Sequence, residues 1–413
     1  MKPLVVPPSK SITHRAFLLS ALCNTTTSVL NPLRSEDCDA TLQALVNLGA
    51  RVSSSDGRVT ISGPLSEVDA SRRLNLQNAG TGLRLLMAQA ARFASTTHFC
   101  GDASLMKRSS RELLLALECL GAEIVSASYK LPISVRGPIR NDVSAHLPSG
   151  VSSQYASALL FAFLVMPGRQ RLVLEKPIHS RPYFDLSLQI AERFGAELEV
   201  VEHERETVVY VCSETLRSPR EFAVQPDWSS AAFLFVYGMI ANIPLGIAGL
   251  GGPTLQADKA IVDILEGFGA TFETTHQMLV MKPAKDVFLN EIDVKNCPDL
   301  FPILCAFAAT VPQPVKIYGA PNLRNKESDR IELMRRGLVA LGIECVEHPD
   351  GLTVMTSGPS GGKVETEMDH RIHMSFRVLA EATGCPIETD GAGAEHISFP
   401  SFESVLGAAR VLS

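Results

Sequence analysis

Apolar residues follow one pattern that recurs five times along the chain: a helical spacing ends at a glycine, and two short strand-like runs follow. The glycines at these ends are Gly49, Gly121, Gly195, Gly269 and Gly342. They lie about 70–75 residues apart, which indicates one supersecondary unit repeated along the chain. Each glycine predicts a helix end, because glycine readily takes the left-handed conformation that closes a helix. A sixth, shortened copy is predicted at residues 378–389.

Each copy also has an upstream half, in which a polar loop opens onto a second apolar helix. These loops lie at residues 9–11, 78–82, 149–154, 227–230, 299 and 369–371. Their serine, asparagine and aspartate residues suit helix N-caps and leave backbone N–H groups available at the helix start. The unit is therefore predicted to be β-α-β-α-β-β, with parallel crossovers and mixed pairing at the hairpins.

Six copies in 413 residues predict an α/β protein of two domains with three repeats each. The polar stretch from residue 213 to 226 is the predicted boundary. One domain then comprises residues 10–225, and the other comprises residues 1–9 plus 226–413. The apolar run at residues 16–23 is predicted to be a core helix, because it is too short for a signal peptide and follows several prolines.

Composition excludes several classes of function. A net charge of -6 and a pI of about 6.0 argue against a nucleic-acid partner. The nine cysteines are scattered and form no C-x-x-C pair, which is typical of reduced thiols in the cytoplasm. No apolar run is long enough to predict a membrane span.

His370 and His373 lack a third ligand, so no metal is predicted. Gly80 and Gly82 lie outside any nucleotide-binding motif.

Cations concentrate where the polar loops meet the helices. They are Lys10, Arg15, Arg84, Arg108, Lys326, Arg330 and Arg371. If the copies are equivalent, their helix starts point toward the gap between the domains and form an anion site there. Any one of these cations could form an ordinary surface ion pair worth about 0–1 kcal/mol. Seven of them at such positions in an acidic protein predict substrates that carry several negative charges.

The densest charged stretch is residues 322–330, directly before an apolar run with helical spacing. Lys326 and Arg330 are predicted to share one face of the first helical turn. Glu327 and Asp299 are the acid–base candidates, because a carboxylate among cations can act as a base and a more buried one can hold a proton. Two plainer alternatives remain open: a solvated charged turn at residues 322–330, and Asp299 as a helix N-cap.

Five segments together resemble the motifs of the 5-enolpyruvylshikimate-3-phosphate (EPSP) synthase family. They are residues 9–15, 78–81, 152–154, 322–330 and 369–371. The resemblance covers nearly the whole chain in order, and its first and fourth segments are the most specific. It implies a two-domain inverse α/β barrel with three β-α-β-α-β-β repeats per domain, and an active site in an interdomain cleft that closes on binding. It also implies a cytoplasmic enzyme, expected to be a monomer, without metal or organic cofactor.

The implied reaction transfers the enolpyruvyl group of phosphoenolpyruvate to the 5-hydroxyl of shikimate 3-phosphate. It releases phosphate through a tetrahedral ketal and leads to chorismate and the aromatic amino acids. The residues implied to bind shikimate 3-phosphate are Lys10, Ser11, Arg15, Ser152, Ser153, Gln154, Ser180, Asp299, Asn322 and Lys326. Those implied to bind phosphoenolpyruvate are Lys10, Asn78, Gly80, Arg108, Gln154, Arg330 and Arg371. The catalytic set is Lys10, Lys326, Asp299, which takes the 5-hydroxyl proton, and Glu327, which protonates the methylene carbon.

The chain departs from this family's pattern at several positions. Pro8 replaces a glycine, and Ile397 stands where a lysine on the phosphoenolpyruvate side is usual. Losing one of several cations should weaken phosphoenolpyruvate binding by about 1.5–3 kcal/mol. Arg108, Arg330 and Arg371 are then expected to carry more of the anion binding.

Two alternatives stay open at this stage. The first is a sibling enzyme that transfers enolpyruvyl to a UDP-sugar, which would require a reactive cysteine at residues 102–108, where none occurs. The second is an anion-binding member of the fold with impaired catalysis. Ile397 favours this second alternative, and the intact Asp299, Lys326 and Glu327 argue against it.

Overall fold

The computed structural model describes residues 2–67, 71–212, 215–275, 278–284, 289–355 and 358–411. The chain forms two compact units. The N-terminal unit is Pro8–Gln225, and the C-terminal unit combines Met1–Pro7 with Pro226–Ser413. Ser9 belongs to the N-terminal unit, where its backbone N–H donates to Gln225 O at 2.8 Å.

The N-terminal unit alternates helices and short strands. Its helices are α1 (Lys10–Leu22), α2 (Glu36–Asn47), α3 (Gly80–Ala90), α4 (Ala103–Lys107), α5 (Arg111–Cys119), α6 (Ser153–Phe163) and α7 (Arg181–Arg193). Its strands are β1 (Thr27–Leu30), β2 (Arg51–Ser55), β3 (Arg58–Ser62), β4 (Arg72–Asn75), β5 (Thr97–Cys100), β6 (Glu123–Ala127), β7 (Lys130–Arg136), β8 (Ser144–Leu147), β9 (Gln170–Glu175), β10 (Leu198–Glu202), β11 (Glu206–Val211) and β12 (Glu221–Ala223).

The sheets of this unit share one topology. Their strand orders are β4-β5-β7-β6, β8-β9-β11-β10 and β12-β1-β3-β2. The first two strands of each sheet pair in parallel, and the other pairs are antiparallel. In the last of these sheets, the edge strand β12 comes from the far end of the unit and pairs with β1. The sheet of the first repeat is therefore completed by a strand from the C-terminal end of the unit.

The C-terminal unit is built in the same way. Its helices are α8 (Trp228–Ala241), α9 (Ile261–Glu266), α10 (Phe301–Ala308), α11 (Arg330–Ala340), α12 (His370–Thr383) and α13 (Phe402–Arg410). Its strands are β13 (Leu245–Ala248), β14 (Thr271–Thr274), β15 (Met278–Lys282), β16 (Glu291–Asp293), β17 (Val315–Tyr318), β18 (Cys345–His348), β19 (Gly351–Val354), β20 (Gly362–Val364) and β21 (Ile387–Thr389). Short 3₁₀-helices cover Ala257–Ala260, Pro298–Leu300, Pro321–Asn325 and Ala394–Ile397.

Only one repeat of the C-terminal unit has the full sheet within the described residues, with the order β16-β17-β19-β18. In the sheet β13-β15-β14, the missing first strand is replaced by Leu4, which bridges Ile247 in parallel. The sixth copy pairs β20 with β21 in parallel across α12. The prediction of a separate helix in the sixth copy at residues 378–389, besides the helix that follows the loop at residues 369–371, is wrong. Both belong to the single helix α12, because its apolar face continues through both segments.

The first helix of each repeat lies in the core of its unit. Helix α1 is buried from Ile12 to Leu22, and α3 packs against both α1 and α6. In the C-terminal unit, α8, α10 and α12 pack against one another. Helices that are apolar on nearly all sides must be covered on all sides. The predicted α/β architecture of repeated units with central helices is confirmed.

The glycines predicted to end helices all have positive φ angles, from 71° at Gly384 to 107° at Gly121. The helix ends predicted from the sequence are therefore confirmed. Gly384 ends α12, which is the first helix of its repeat, whereas each of the other five glycines ends the second helix of its repeat.

A tight turn precedes α12, and its two central residues have positive φ angles, which are unfavourable for residues other than glycine. Asp369 N–H donates to Thr366 O at 2.9 Å, and Glu367 and Met368 have φ angles of 49° and 59°. Two central residues with positive φ define a type I′ turn, which favours Asn-Gly. Met368 is 53% exposed, so its side chain contributes little packing.

We expect Met368→Gly to raise the free energy of unfolding by about 1 kcal/mol, because glycine removes the clash that a Cβ causes at positive φ. Urea denaturation measures this change. Met368→Leu is the matched control, since it keeps the Cβ and should leave stability unchanged. Equal stability of both variants would contradict the expected strain.

Candidate active site

The start of α11 fixes the geometry of the charged stretch at residues 322–330. Asp329 is the N-cap, and its carboxylate accepts the backbone N–H of Glu332 at 3.1 Å. Lys326 therefore lies outside α11, after the 3₁₀-helix Pro321–Asn325. The prediction that Lys326 and Arg330 share a helical face is wrong, because the Asp329 cap starts the helix at Arg330.

Arg330 joins three carboxylates although it is only 1% exposed. Its Nε donates to Asp369 Oδ2 at 2.9 Å, Nη2 donates to Glu327 Oε2 at 2.6 Å, and Nη1 donates to Asp299 Oδ1 at 3.2 Å. Burial alone would lower the pKa of Arg330, but the surrounding carboxylates outweigh it and raise this pKa above its usual value. A buried permanent cation thus anchors the cluster.

Asp299 contacts three cations. Besides Arg330, it accepts Arg371 Nη2 at 3.0 Å on Oδ2 and lies 3.6 Å from Lys326 Nζ. Burial opposes ionisation of Asp299, but Arg371, Lys326 and Arg330 together hold its pKa below its usual range. The alternative that Asp299 is an N-cap is wrong. The N-cap of α10 is Leu300, and no side chain caps that helix.

Asp369 is fully buried; it caps a helix and also accepts side-chain hydrogen bonds from the start of α11. It caps α12 by accepting the backbone N–H of Arg371 at 2.9 Å, and it accepts the hydroxyl of Ser328 at 2.9 Å in addition to Arg330. It therefore ties the start of α11 to the start of α12. The N-cap predicted for the loop at residues 369–371 is confirmed at Asp369. Its contacts with Arg330 and Ser328 were not predicted, because they join segments about 40 residues apart in sequence.

His373 belongs to a separate network. Its Nδ1 lies 2.8 Å from Thr389 Oγ1, and its Nε2 lies 3.5 Å from Glu395 Oε2. Across the described ranges, no cluster of three or more His, Cys, Asp or Glu side chains could hold a metal ion. Asn322 lies half-buried in the 3₁₀-helix before Lys326.

A second group of predicted residues lies at the start of α1 in the N-terminal unit. Lys10 Nζ lies 2.9 Å from Asp37 Oδ2, an acidic partner that the sequence analysis missed. Arg15 is buried, and its guanidinium donates to Ser187 Oγ, Tyr183 O and Ser11 O at 2.8–2.9 Å. Much of the donor capacity of Arg15 thus serves to join α1 to α7.

Two guanidinium groups converge on Gly80 at the start of α3. Arg84 donates to Gly80 O at 3.0 Å, and Arg108 donates to Asn78 Oδ1 and, at 2.9 Å, to Ser104 Oγ. A Cβ at position 80 would lie 2.5 Å from Arg84 Nη1 and 3.0 Å from Arg108 Nη1. Only glycine allows both cations to approach the backbone this closely, and guanidinium pairs of this kind suit carboxylate or phosphate ligands.

The starts of α6 and α7 complete the N-terminal group. Gln154 Nε2 donates to Thr81 Oγ1 at 3.1 Å, so the start of α6 meets the start of α3. Ser152 caps α6 and pairs with His179 in an isolated bridge. Ser180, the next residue, has a left-handed φ of 54° at the start of α7, and Ser153 is buried. The structure thus places these predicted residues at neighbouring helix starts.

Comparisons with known proteins agree with this geometry. The model of the family described as EPSP synthase (3-phosphoshikimate 1-carboxyvinyltransferase) matches residues 2–406. The chain is 37% identical over 404 residues to the 3-phosphoshikimate 1-carboxyvinyltransferase of Methanocorpusculum labreanum, covering 96% of this chain and 93% of that protein. The enzyme of that name from Archaeoglobus fulgidus is 34% identical, with 97% and 94% covered. The chain belongs to the EPSP synthase family.

A solved structure agrees with this membership. The EPSP synthase of Acinetobacter baumannii superposes with a TM-score of 0.78 at 27% identity, covering 99% of this chain and 95% of that one. The family, the inverse α/β barrel and the transferase activity predicted from the sequence are therefore confirmed. These matches give no support to the UDP-sugar alternative.

The main departure from the EPSP synthase pattern lies in the 3₁₀-helix Ala394–Ile397. Ile397 is 8% exposed, whereas the neighbouring His396 is exposed. This 3₁₀-helix packs against α12, which carries Arg371. The chain therefore has an apolar contact where a lysine is usual. None of the helices in the described part of the chain is long and apolar enough to cross a membrane.

Proposed function

We propose that this chain transfers the enolpyruvyl group of phosphoenolpyruvate to the 5-hydroxyl of shikimate 3-phosphate and releases phosphate, on the route to the aromatic amino acids. The observation that carries the proposal is the cluster in which Asp299 and Glu327 share the buried cation Arg330. Asp299 also contacts Arg371 and Lys326. This arrangement combines two carboxyls for proton transfer with cations for the phosphoryl and carboxylate groups of the substrates.

Shikimate 3-phosphate is proposed to bind at helix starts of the N-terminal unit and at the Asp299 cluster. The proposed contacts are Lys10, Ser11, Arg15, Ser152, Ser153, Gln154, Ser180, Asp299, Asn322 and Lys326. Hydroxyl and backbone N–H groups at helix starts favour phosphate, and the half-buried Lys10 adds a positive charge. Besides its proposed contact with the substrate, Arg15 holds α1 against α7 through Ser187 and Tyr183.

Phosphoenolpyruvate is proposed to bind the guanidinium groups. The proposed contacts are Lys10, Asn78, Gly80, Arg108, Gln154, Arg330 and Arg371. The convergence of Arg84 and Arg108 on Gly80 supports this assignment, since both cations belong to the predicted anion site. The proposal requires residues of both units to act on the same pair of substrates.

The chemistry is assigned to the carboxyls. Asp299 is proposed to accept the 5-hydroxyl proton as the oxygen attacks phosphoenolpyruvate, and Glu327 is proposed to protonate the methylene carbon. Lys10 and Lys326 stabilise the negative charge of the tetrahedral ketal. The ketal then loses phosphate as one proton of its methyl group returns to the Glu327 carboxylate, and the carbon–carbon double bond forms again. We further propose that the enzyme works in the cytoplasm as a monomer without metal or organic cofactor. Light scattering with and without substrates tests the monomer.

The direct test is phosphate release from phosphoenolpyruvate with and without shikimate 3-phosphate. We expect release only when both substrates are present, and no stimulation by a UDP-sugar acceptor. Binding of shikimate 3-phosphate by calorimetry without phosphate release would instead support the alternative of an anion-binding protein with impaired catalysis.

Ile397→Lys is expected to lower the apparent KM for phosphoenolpyruvate by about 10- to 150-fold, because one added charge-assisted hydrogen bond contributes about 1.5–3 kcal/mol. The lysine stem can follow the apolar surface that now covers Ile397 while its ammonium group extends outward. Steady-state kinetics at saturating shikimate 3-phosphate measures the change. Ile397→Met, which adds no charge, should leave KM unchanged. An unchanged KM in the lysine variant would show that another group already fills this role.

A further inference from the structure

Two buried serines of the N-terminal unit, Ser157 and Ser187, have no part in the reaction scheme above. Ser157 lies in α6, one turn after Ser153, and Ser187 lies in α7, one turn after Tyr183. Both are 0% exposed, and their hydroxyl oxygens lie 2.7 Å apart, so a direct hydrogen bond joins α6 to α7. We call these two residues the serine pair. Because a buried hydroxyl is costly unless it is hydrogen-bonded, the other partners of the serine pair show what it holds.

The contacts of the serine pair give its hydrogen bonds one direction. Arg15 Nε can only donate, so Ser187 Oγ accepts its hydrogen at 2.8 Å. Ser157 Oγ donates to Ser153 O at 2.9 Å, because a carbonyl oxygen can only accept. Ser157 has then used its single hydrogen and accepts that of Ser187. A chain of hydrogen bonds thus runs from the Arg15 guanidinium through both hydroxyls to the backbone of α6.

This chain of hydrogen bonds ends in the first turns of three helices. Besides Ser187, Arg15 donates to Ser11 O in α1 and to Tyr183 O in α7, both at 2.9 Å. In α6, the chain ends at the carbonyl of Ser153. Ser11 and Ser153 are proposed contacts of shikimate 3-phosphate. The N–H groups of a first helical turn have no partner within the helix and favour phosphate. Fixing the carbonyls of these turns also fixes the directions in which their N–H groups point.

The cation of this chain has no acidic partner. Arg15 is 2% exposed, and among the residues that the structure describes it forms no ion pair, whereas the buried Arg330 has three carboxylates. Burial lowers the pKa of Arg15 to about 10, so its guanidinium stays charged at neutral pH. A buried charge without a counterion costs free energy. An anionic substrate at the neighbouring helix starts would compensate for it.

We propose that Ser157 and Ser187 are positioning residues for shikimate 3-phosphate, which hold the starts of α1, α6 and α7 in the arrangement that its phosphate requires. Both hydroxyls are buried, so they act through Arg15 and the backbone of Ser153 rather than by touching the substrate. Within the described part of the chain, the serine pair contacts none of the guanidinium groups assigned to phosphoenolpyruvate. Its effect should therefore be selective for one substrate. This inference rests on the binding mode proposed above.

Ser187→Ala is expected to raise the Kd of shikimate 3-phosphate by about five- to tenfold, because it removes both the acceptor of Arg15 Nε and the donor to Ser157. Ser157→Ala should raise this Kd only about two- to threefold, since Ser187 can then donate to Tyr183 O, 3.0 Å away. The double variant should bind no more weakly than Ser187→Ala, because the two hydroxyls act as a unit. Calorimetry measures each Kd, and steady-state kinetics should show an unchanged KM for phosphoenolpyruvate.

Two further variants separate hydrogen bonding from packing. Ser187→Cys keeps most of the side-chain volume but is only a weak hydrogen-bonding group, so it should bind shikimate 3-phosphate as weakly as Ser187→Ala. Ser20→Ala is the matched control. It makes the same substitution at another fully buried serine, near the opposite end of α1, and should leave the Kd unchanged. Wild-type affinity in the cysteine variant would mean that packing, rather than the hydrogen bond, positions the helices, and would overturn the inference.

The remaining outcomes distinguish a positioning role from a structural one. Equal weakening of both substrates, or lower thermal stability with an unchanged Kd, would overturn the inference, because a purely structural role predicts those results. If thermal denaturation shows that the Ser187 variants do not fold, the selective effect of Ser157→Ala decides. If the wild-type protein does not bind shikimate 3-phosphate, the binding mode proposed above fails. If it binds and every variant binds equally well, only the present inference fails.

Discussion

Replacing Arg330 with methionine is expected to lower the free energy of unfolding by about 3–5 kcal/mol and to abolish phosphate release. Arg330 is 1% exposed, and its guanidinium is shared by Asp369, Asp299 and Glu327. Removing it leaves Asp369, which is fully buried, without its cation. The cost arises mainly from that uncompensated charge, because methionine fills a volume similar to that of the arginine stem.

Urea denaturation of the Arg330 variant measures this loss, and Arg335→Met is its control. Arg335 lies on the same helix and pairs with Glu332 and Glu347, but these groups are about one-third exposed. A pair of this kind contributes about 0–1 kcal/mol. Equal losses in the two variants would contradict the anchoring role of Arg330.

Much of the fold could be predicted from the sequence because its signals are local. Each glycine such as Gly49 or Gly121 ends a helix through its own φ angle, so five residues reveal five repeats. The pairing of β12 with β1 could not be predicted from local signals of this kind. Strand pairing between residues 221–223 and β1 depends on tertiary packing across the whole N-terminal unit. For the same reason, the sixth copy was divided into two helices where one exists.

The candidate site shows the same limit. The sequence supplied the residue types and their order, but the contacts join distant segments: Lys10 pairs with Asp37, 27 residues away, and Arg371 pairs with Asp299, 72 residues away. The one contact inferred from local spacing, a helical face shared by Lys326 and Arg330, failed. Both residues nevertheless reach Asp299 from different segments.

Glu327→Gln is expected to lower kcat by about 10²- to 10⁴-fold, because an amide cannot deliver the proton that the methylene carbon requires. Glutamine has nearly the same shape, and its oxygen can still accept Arg330 Nη2, which now lies 2.6 Å from Glu327 Oε2. Binding of shikimate 3-phosphate should therefore stay close to that of the wild-type protein.

The isotope content of the methylene group distinguishes this role from a structural one. In deuterated water, a group that protonates the methylene carbon reversibly introduces deuterium there, and mass spectrometry of recovered phosphoenolpyruvate and of product measures it. Glu327→Gln should suppress this incorporation together with kcat. Glu332→Gln, a half-buried carboxyl on α11 that pairs with Arg335, should leave both unchanged. If kcat of the Glu327 variant falls while deuterium still enters at the wild-type rate, the proton comes from another group. Glu327 would then act only by holding Arg330 in place.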